Sequence, residues 1–226
     1  MKKMKIATLA LAASLVLTNL SCSNTAKGAG IGAGAGALVG AVIGKMAGNT
    51  AVGAAIGATV GTGTGALIGK HMDNVKKKAQ AVENAQVEGV KDANGLDAVK
   101  VTFDSGILFA TNKSDLNASA KTSLTNFAGV LKSNTDCDVA IFGHTDSTGS
   151  DAINNPLSLK RAQSVQNFLA SQGVSASQIK TVEGKGSTEP VADNSTKAGQ
   201  AQNRRVEVYL YASEKMIQQA KKQAGE

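Results

Sequence analysis

The stretch GHTDSTGSDAINNPLSLKRAQSV, Gly143 to Val165, joins the end of one element to the start of another. Just upstream, CDVAIFG (137–143) is a short apolar run bounded by polar residues, the pattern of a buried strand. Downstream, Leu157, Arg161 and Val165 recur every fourth residue, and Phe168 and Leu169 continue that side, so the spacing predicts a helix ending at Gly173. Asn155 followed by Pro156 predicts where the helix begins, since asparagine accepts the first free amides and proline is tolerated in a first turn. Asp146 lies in the intervening loop, and the loop returns it toward that helix start. Arg161 borders the buried face nearby. A carboxylate and a guanidinium then flank a small pocket, to which the helix amides add positive potential. Such a pocket suits a zwitterion, Asp146 taking an ammonium and Arg161 a carboxylate. A plain salt bridge between the two is the competing reading. Asn154 adds an amide beside the pocket. NRRVEV (203–208) sets Arg204 and Arg205 side by side at a strand start, where neighbours point to opposite faces, with Arg205 off the main core face.

Around this stretch the pattern alternates. A strand is expected at 98–103, a turn at 104–106 and a short run at 107–109. Leu116, Ala120, Leu124, Phe127, Ala128 and Leu131 then follow helical spacing. IKTVEGKG (179–186) reads as a strand, STKAGQAQN (195–203) as a turn or short helix, and RRVEVYLY (204–211) as a last strand with Val206, Val208 and Leu210 on one face. The order β-α-β-α-β-β predicts an α/β domain over 95–211, a mixed sheet covered by helices. The charged tail, 212–226, is expected to fray.

The first ninety residues differ in kind. Lys2, Lys3 and Lys5 precede an apolar run from Ile6 to Leu17, too short for a persuasive spanning helix, and residues 1–21 read as an export signal. Cys22 follows at once, so the signal resembles that of a bacterial lipoprotein, which implies lipidation of Cys22, palmitate included, and a short lipidated linker over 22–27. Ser23 leans toward outer-membrane sorting by the same resemblance. Residues 28–69 carry two period-four glycine series, Gly36 to Gly48 and Gly53 to Gly69, broken at Asn49 and Thr50. Four residues slightly exceed one helical turn, so each series makes a stripe without side chains. Two antiparallel helices packed glycine face to glycine face are expected, embedded in a membrane or self-associating, because small residues let backbones approach closely in lipid. A polar helical linker is expected over 70–94, with His71 a solvated residue.

The chain has 226 residues, a formal charge of +7 and 3% aromatic residues. The basic residues lack aromatic interleaving, which weighs against nucleic acid as a partner. With Cys22 lipidated, Cys137 is the one cysteine left, which excludes a disulfide scaffold and leaves a buried, inert thiol without a neighbouring histidine. No metal-ligand spacing and no phosphate loop are visible, and no cofactor is expected. Ser147 and Ser158 lack a convincing histidine base, and His144 is read as a structural hydrogen-bonding residue, so an enzyme is not expected.

From Val101 to Leu210, the pieces TFDSGILFATNKSDL, GHTDSTG, LSLKRAQSV and NRRVEV resemble the OmpA-like C-terminal, peptidoglycan-associated domain. The resemblance implies noncovalent binding of peptidoglycan through the diaminopimelate of the stem peptide. It places the family's aspartate on Asp146, preceded by Thr145, its carboxylate-gripping arginine on Arg161, its asparagine on Asn154, its helix-start leucine and serine on Leu157 and Ser158, and its later arginine on Arg205. Signal, glycine zipper and domain together resemble outer-membrane lipoproteins that face the periplasm and tether that membrane to the wall. An envelope assembly protein, oligomerising through the zipper without touching the wall, is the alternative; a muropeptide hydrolase is a weaker one.

Overall fold

The computed structural model describes residues 60–226 apart from 93 and 111. The expected signal, Cys22 with its linker, and the hairpin up to residue 59 lie outside the described residues. The described chain is built on one five-stranded sheet, ordered β1-β2-β5-β3-β4. The strands are β1 (Ala85–Lys91), β2 (Asp97–Asp104), β3 (Cys137–Gly143), β4 (Ile179–Gly184) and β5 (Arg205–Ala212). The helices are α1 (Thr62–Ala79), α2 (Ser105–Leu108), α3 (Ala118–Lys132), α4 (Asp151–Ser171), α5 (Lys197–Asn203) and α6 (Glu214–Ala224). Only β3 and β4 run parallel; the other three pairings are antiparallel. The mixed sheet with helices is the expected architecture.

Strand alternation decides which residues enter the core. Val99, Val101 and Phe103 of β2, Val206, Val208 and Leu210 of β5, and Val139 and Ile141 of β3 share one face and meet the helices. In register, Val101 pairs with Val208 and Val208 with Ile141, so a continuous β-branched band crosses the three central strands. Phe127 of α3 completes it, meeting Phe103 edge-on at 5.5 Å between ring centroids. The opposite face carries a smaller cluster of Ala98, Ala140, Phe142, Tyr209 and Tyr211. Caps fix where helices start: the Asn117 side chain accepts from the Ala120 amide at 2.8 Å, and Ser213 caps α6 by accepting from Met216. Gly173, at φ +86°, takes the left-handed turn that closes α4.

Three boundaries differ from the sequence expectation. Residues 70–94 are no helical linker. The helix that holds Gly65 and Gly69 continues to Ala79, burying Ile68, Met72 and Val75 in the domain core, and residues 85–91 add an edge strand to β2. The apolar residues of α1 fall every three or four positions, a stripe that continues across the composition change at Lys70. Second, 212–226 does not fray. Ser213 starts α6, whose Met216, Ile217 and Ala220 are buried against the core, and Glu226 returns to accept from the Gly61 amide at 2.9 Å and the Thr64 hydroxyl at 2.8 Å. A carboxylate at the amino end of α1 also complements that helix's dipole. Third, Ile107 belongs to the short helix α2. No helix among the described residues is long and apolar enough to cross a membrane.

Because Ile217 is 4% exposed within this packing, Ile217→Ala is expected to destabilise the domain by about 2–4 kcal/mol in urea denaturation. A fraying tail would give no change.

Candidate functional site

The site forms where β3 ends. Hydrogen bonding continues past the end of β3 on both sides: the His144 amide donates to the Arg205 carbonyl at 2.9 Å, and the Thr145 amide to that of Gly186 at 2.8 Å. Asp146 leaves the sheet immediately beyond, between the antiparallel neighbour β5 and the parallel neighbour β4. The carboxyl end of a central strand in an open α/β sheet is a usual place for a ligand.

The helix that supplies Arg161 is seated by glycines. A Cβ at Gly143 would overlap the Ser158 carbonyl, and one at Gly184 would overlap the Leu159 amide. The missing side chains let α4 lie directly on the ends of β3 and β4. Ser158, wholly buried, accepts from the Gly186 amide at 3.0 Å and donates to the Asn155 carbonyl at 2.9 Å, tying α4 to the turn after β4. Asn154 donates to the carbonyls of Asp146, at 3.4 Å, and Thr148, at 3.0 Å, holding the loop. These two residues are the frame of the site. Leu157 is only half-buried, because the buried stripe of α4 runs through Asn154, Ser158, Arg161, Ala162, Val165 and Leu169.

The helix start expected at Asn155 is a correction. α4 begins at Asp151 and contains Pro156. Gly149, at φ +88°, turns the chain, and Asp151 places a negative charge in the first turn, where the dipole favours it. The extra turn is what brings Asn154 back over the loop.

Asp146 is 4% exposed and accepts from the Thr148 amide at 2.9 Å, from the Thr148 hydroxyl and from Arg204 Nη1 at 2.5 Å. Burial acts to raise its carboxyl, but the Thr148 and Arg204 hydrogen bonds outweigh it and hold the group below the usual carboxylate range. Arg161 is 3% exposed. Its Nε donates to the Lys113 carbonyl at 3.1 Å, and its guanidinium carbon lies 5.3 Å from the centre of the Phe109 ring. Burial lowers it first, the Arg204 charge lowers it further and the Asp146 charge raises it. Asp146 and Arg161 are thus near enough to feel each other, yet among the described residues no carboxylate forms an ion pair with Arg161. The plain Asp146–Arg161 salt bridge does not form.

Arg205 is the second correction. It is Arg204, just outside the strand, that reaches Asp146. Arg205 turns to the opposite face of the sheet, where its Nε donates to Glu207 at 2.7 Å and its other nitrogens to the carbonyls of Asn203 and Glu189, each at 3.1 Å. The Tyr209 hydroxyl donates to the same carboxylate at 2.6 Å, and His144 Nε2 stands 3.6 Å from it. This buried network underlies the Asp146 loop without joining the site. Burial acts to raise Glu207, but His144, the Arg205 charge and Tyr209 outweigh it and hold the carboxyl well below its ordinary value. Sequence patterning marked both arginines and put Arg205 off the core face, where it lies; that Arg204, in the turn before β5, reaches Asp146 depends on the path of that turn. Phe109 and the Lys113 carbonyl, which fix Arg161, carry no local signal. Thr145 is buried beside Asp146, with no partner for its hydroxyl among the described residues.

The fold and site define an α/β domain whose opposite charges gather at the carboxyl end of a central strand. Residues 108–204 match the model of the OmpA family, and residues 1–73 match that of the YMGG-like Gly-zipper. It is 38% identical over 146 residues to "Probable lipoprotein YiaD" of Escherichia coli K12, covering 65% of each chain. It is 36% identical over 141 residues to "Peptidoglycan-binding protein ArfA" of Mycobacterium tuberculosis H37Rv, covering 62% of this chain and 43% of the relative. The chain therefore spans less than two thirds of either relative. Among solved structures, the cell wall anchor of the type VI secretion system (T6SS) from Pseudomonas aeruginosa superposes with a TM-score of 0.52 at 27% identity, over 63% of this chain and 97% of that one.

His144 generates a pH dependence. Burial lowers it, Glu207 raises it and the Arg205 charge lowers it, with a net fall below its ordinary 6.5. The folded chain holds the ring neutral while the unfolded chain takes a proton near 6.5, so stability declines as pH falls through and below that value. The urea midpoint is expected to drop between about pH 7.5 and 5.5, and His144→Gln to flatten the drop; an unchanged slope in that variant would remove the assignment.

Proposed function

We propose that this domain binds peptidoglycan noncovalently through the diaminopimelate of the stem peptide, and so tethers the outer membrane to the wall. One observation carries the reading: Arg161 is a buried guanidinium without a carboxylate partner, set close to a buried carboxylate that is not paired to it. A buried cation in that state is costly unless an anion completes it. Among the described residues a carbonyl and an aromatic face touch it directly, the Asp146 charge acts from further off, and the aromatic face offsets a modest part of the cost. A free amino-acid head supplies both missing charges, its carboxylate meeting Arg161 as a planar fork and its ammonium meeting Asp146. Arg204 competes for Asp146, but its side chain is 39% exposed. Shifting an exposed arginine from a surface pair costs little, so the ligand's ammonium can share or take its place. Thr145 and the loop held by Asn154 would border the ligand, and Ser158 would act through the frame. Arg205 would support the loop from beneath. The names of ArfA and the secretion-system anchor support a wall ligand.

The anchoring half of the proposal rests on the sequence. Cys22 would carry lipid, palmitate included, and the glycine zipper would associate with the outer membrane or with further copies. Nothing in the site opposes two groups across a scissile bond, so the domain is read as a binding module.

Cosedimentation with diaminopimelate-containing sacculi tests the ligand. Asp146→Ala and Arg161→Ala are each expected to weaken retention by about 30-fold, the equivalent of losing roughly 2 kcal/mol of charged hydrogen bonding. Arg161→Lys is expected to weaken it about tenfold, because an ammonium does not reproduce the fork. Unchanged retention in both alanine variants, with thermal midpoints intact, would favour the zipper-driven assembly reading.

A further inference from the structure

At the opposite end of β3 from this site, three side chains with metal-ligating atoms converge, and the wall-binding reading gives them no task. His71 lies on α1, Asp136 just before β3, and Cys137 on its first residue. His71 Nε2 is 3.5 Å from Asp136 Oδ1 and 3.8 Å from Cys137 Sγ. One ligand atom from each residue lies within 4.8 Å of the other two. A tetrahedral zinc ion bound by nitrogen, oxygen and sulfur at ordinary bond lengths has ligand–ligand edges of about 3.4–3.6 Å. The observed separations need only a small contraction to reach those edges.

We propose that His71, Asp136 and Cys137 form a binding site for a zinc-class divalent transition-metal ion, with the fourth position open to water. The donor set selects the ion. Imidazole and thiolate suit zinc and its first-row neighbours, whereas calcium and magnesium require oxygen ligands. Access is present from one side: the His71 and Asp136 side chains are 32% and 37% exposed, while Cys137 is fully buried behind them. The ligands are also held. Ile68 and Met72, on either side of His71 in α1, are buried in the core, and the Asp136 carbonyl accepts from the Ser213 amide at 3.2 Å.

Proton balance is simple. Burial, with the charges of Asp136 and Asp138, raises the Cys137 thiol to about 12, so the metal-free group stays protonated. Binding forms the metal–sulfur bond and releases that proton to solvent. Lys78 acts in the opposite sense. Its charge favours the thiolate but opposes the incoming cation, and its ammonium is drawn toward Asn134 Oδ1 at 3.4 Å. The bound ion would join α1, whose first half falls in the glycine-zipper match, to the central sheet, across a sequence separation of 66 residues.

The test uses the full-length chain, purified in detergent, reduced and stripped of metal, and titrated with Co2+ and then Zn2+. One equivalent of Co2+ is expected to give a thiolate-to-cobalt charge-transfer band that Zn2+ removes. Cys137→Ser should abolish the band, Cys22→Ser should retain it, and His71→Ala should weaken binding by about tenfold or more. Zn2+ should raise the thermal midpoint of the wild type more than that of His71→Ala, a partly exposed site whose loss spares the core. The proposal is overturned by no band at stoichiometric Co2+, by a band that persists in Cys137→Ser, or by equal affinity in His71→Ala.

Discussion

Everything about the binding site depends on a steric permission. Gly143 and Gly184 end the two parallel strands without side chains, and α4 rests in the space a Cβ would fill. That contact fixes the height of the helix over the sheet to within a van der Waals radius. Ser158 then reaches the Gly186 amide, and Arg161, one turn further along, is set at the depth of Asp146. The guanidinium is positioned by packing rather than by a counter-charge, which is why it can remain buried without a carboxylate partner.

The two faces of the sheet divide the work. The apolar face supplies stability through a continuous Val, Ile and Phe band under α1, α3, α4 and α6. The other face carries Arg205, Glu207 and Tyr209 as a hydrogen-bonded polar network, with His144 Nε2 standing 3.6 Å from Glu207. Such a network is costly if a member is removed and rigid when complete. It stiffens the strand ends from which the Asp146 loop departs. The three arginines differ in how they are satisfied: Arg205 is buried and paired internally, Arg204 is partly exposed and paired with Asp146, and Arg161 is buried with no carboxylate partner among the described residues.

α1 connects the two regions of the chain. Its glycines belong to the zipper pattern, yet its Ile68, Met72 and Val75 belong to the domain core. α6 closes over it, with Glu226 at its amino end. The start of the folded domain is thus earlier than the composition change suggests, and the final residues are structural.

The sequence by itself determined the alternation of strands and helices, the strand faces and the residues that gather at the end of β3, because side-chain period and turn chemistry are local. Asp146, Arg161, Asn154 and Ser158 were legible for that reason, and their chemical types pointed to a doubly charged ligand. Only the tertiary structure decided the pairings. Arg204 rather than Arg205 meets Asp146 because Arg204 lies before the strand, while the alternation of β5 commits Arg205 to the Glu207 face. Asn155 and Pro156 gave a plausible helix start that the preceding turn, Gly149 to Asp151, pre-empted. Residues 85–91 became a strand because β2 offered an unpaired edge, a condition no window of sequence contains. His71 and Cys137 looked solitary in a linear reading, and they meet because α1 packs its apolar stripe against the sheet, a long-range contact set by hydrophobic burial rather than by any local pattern.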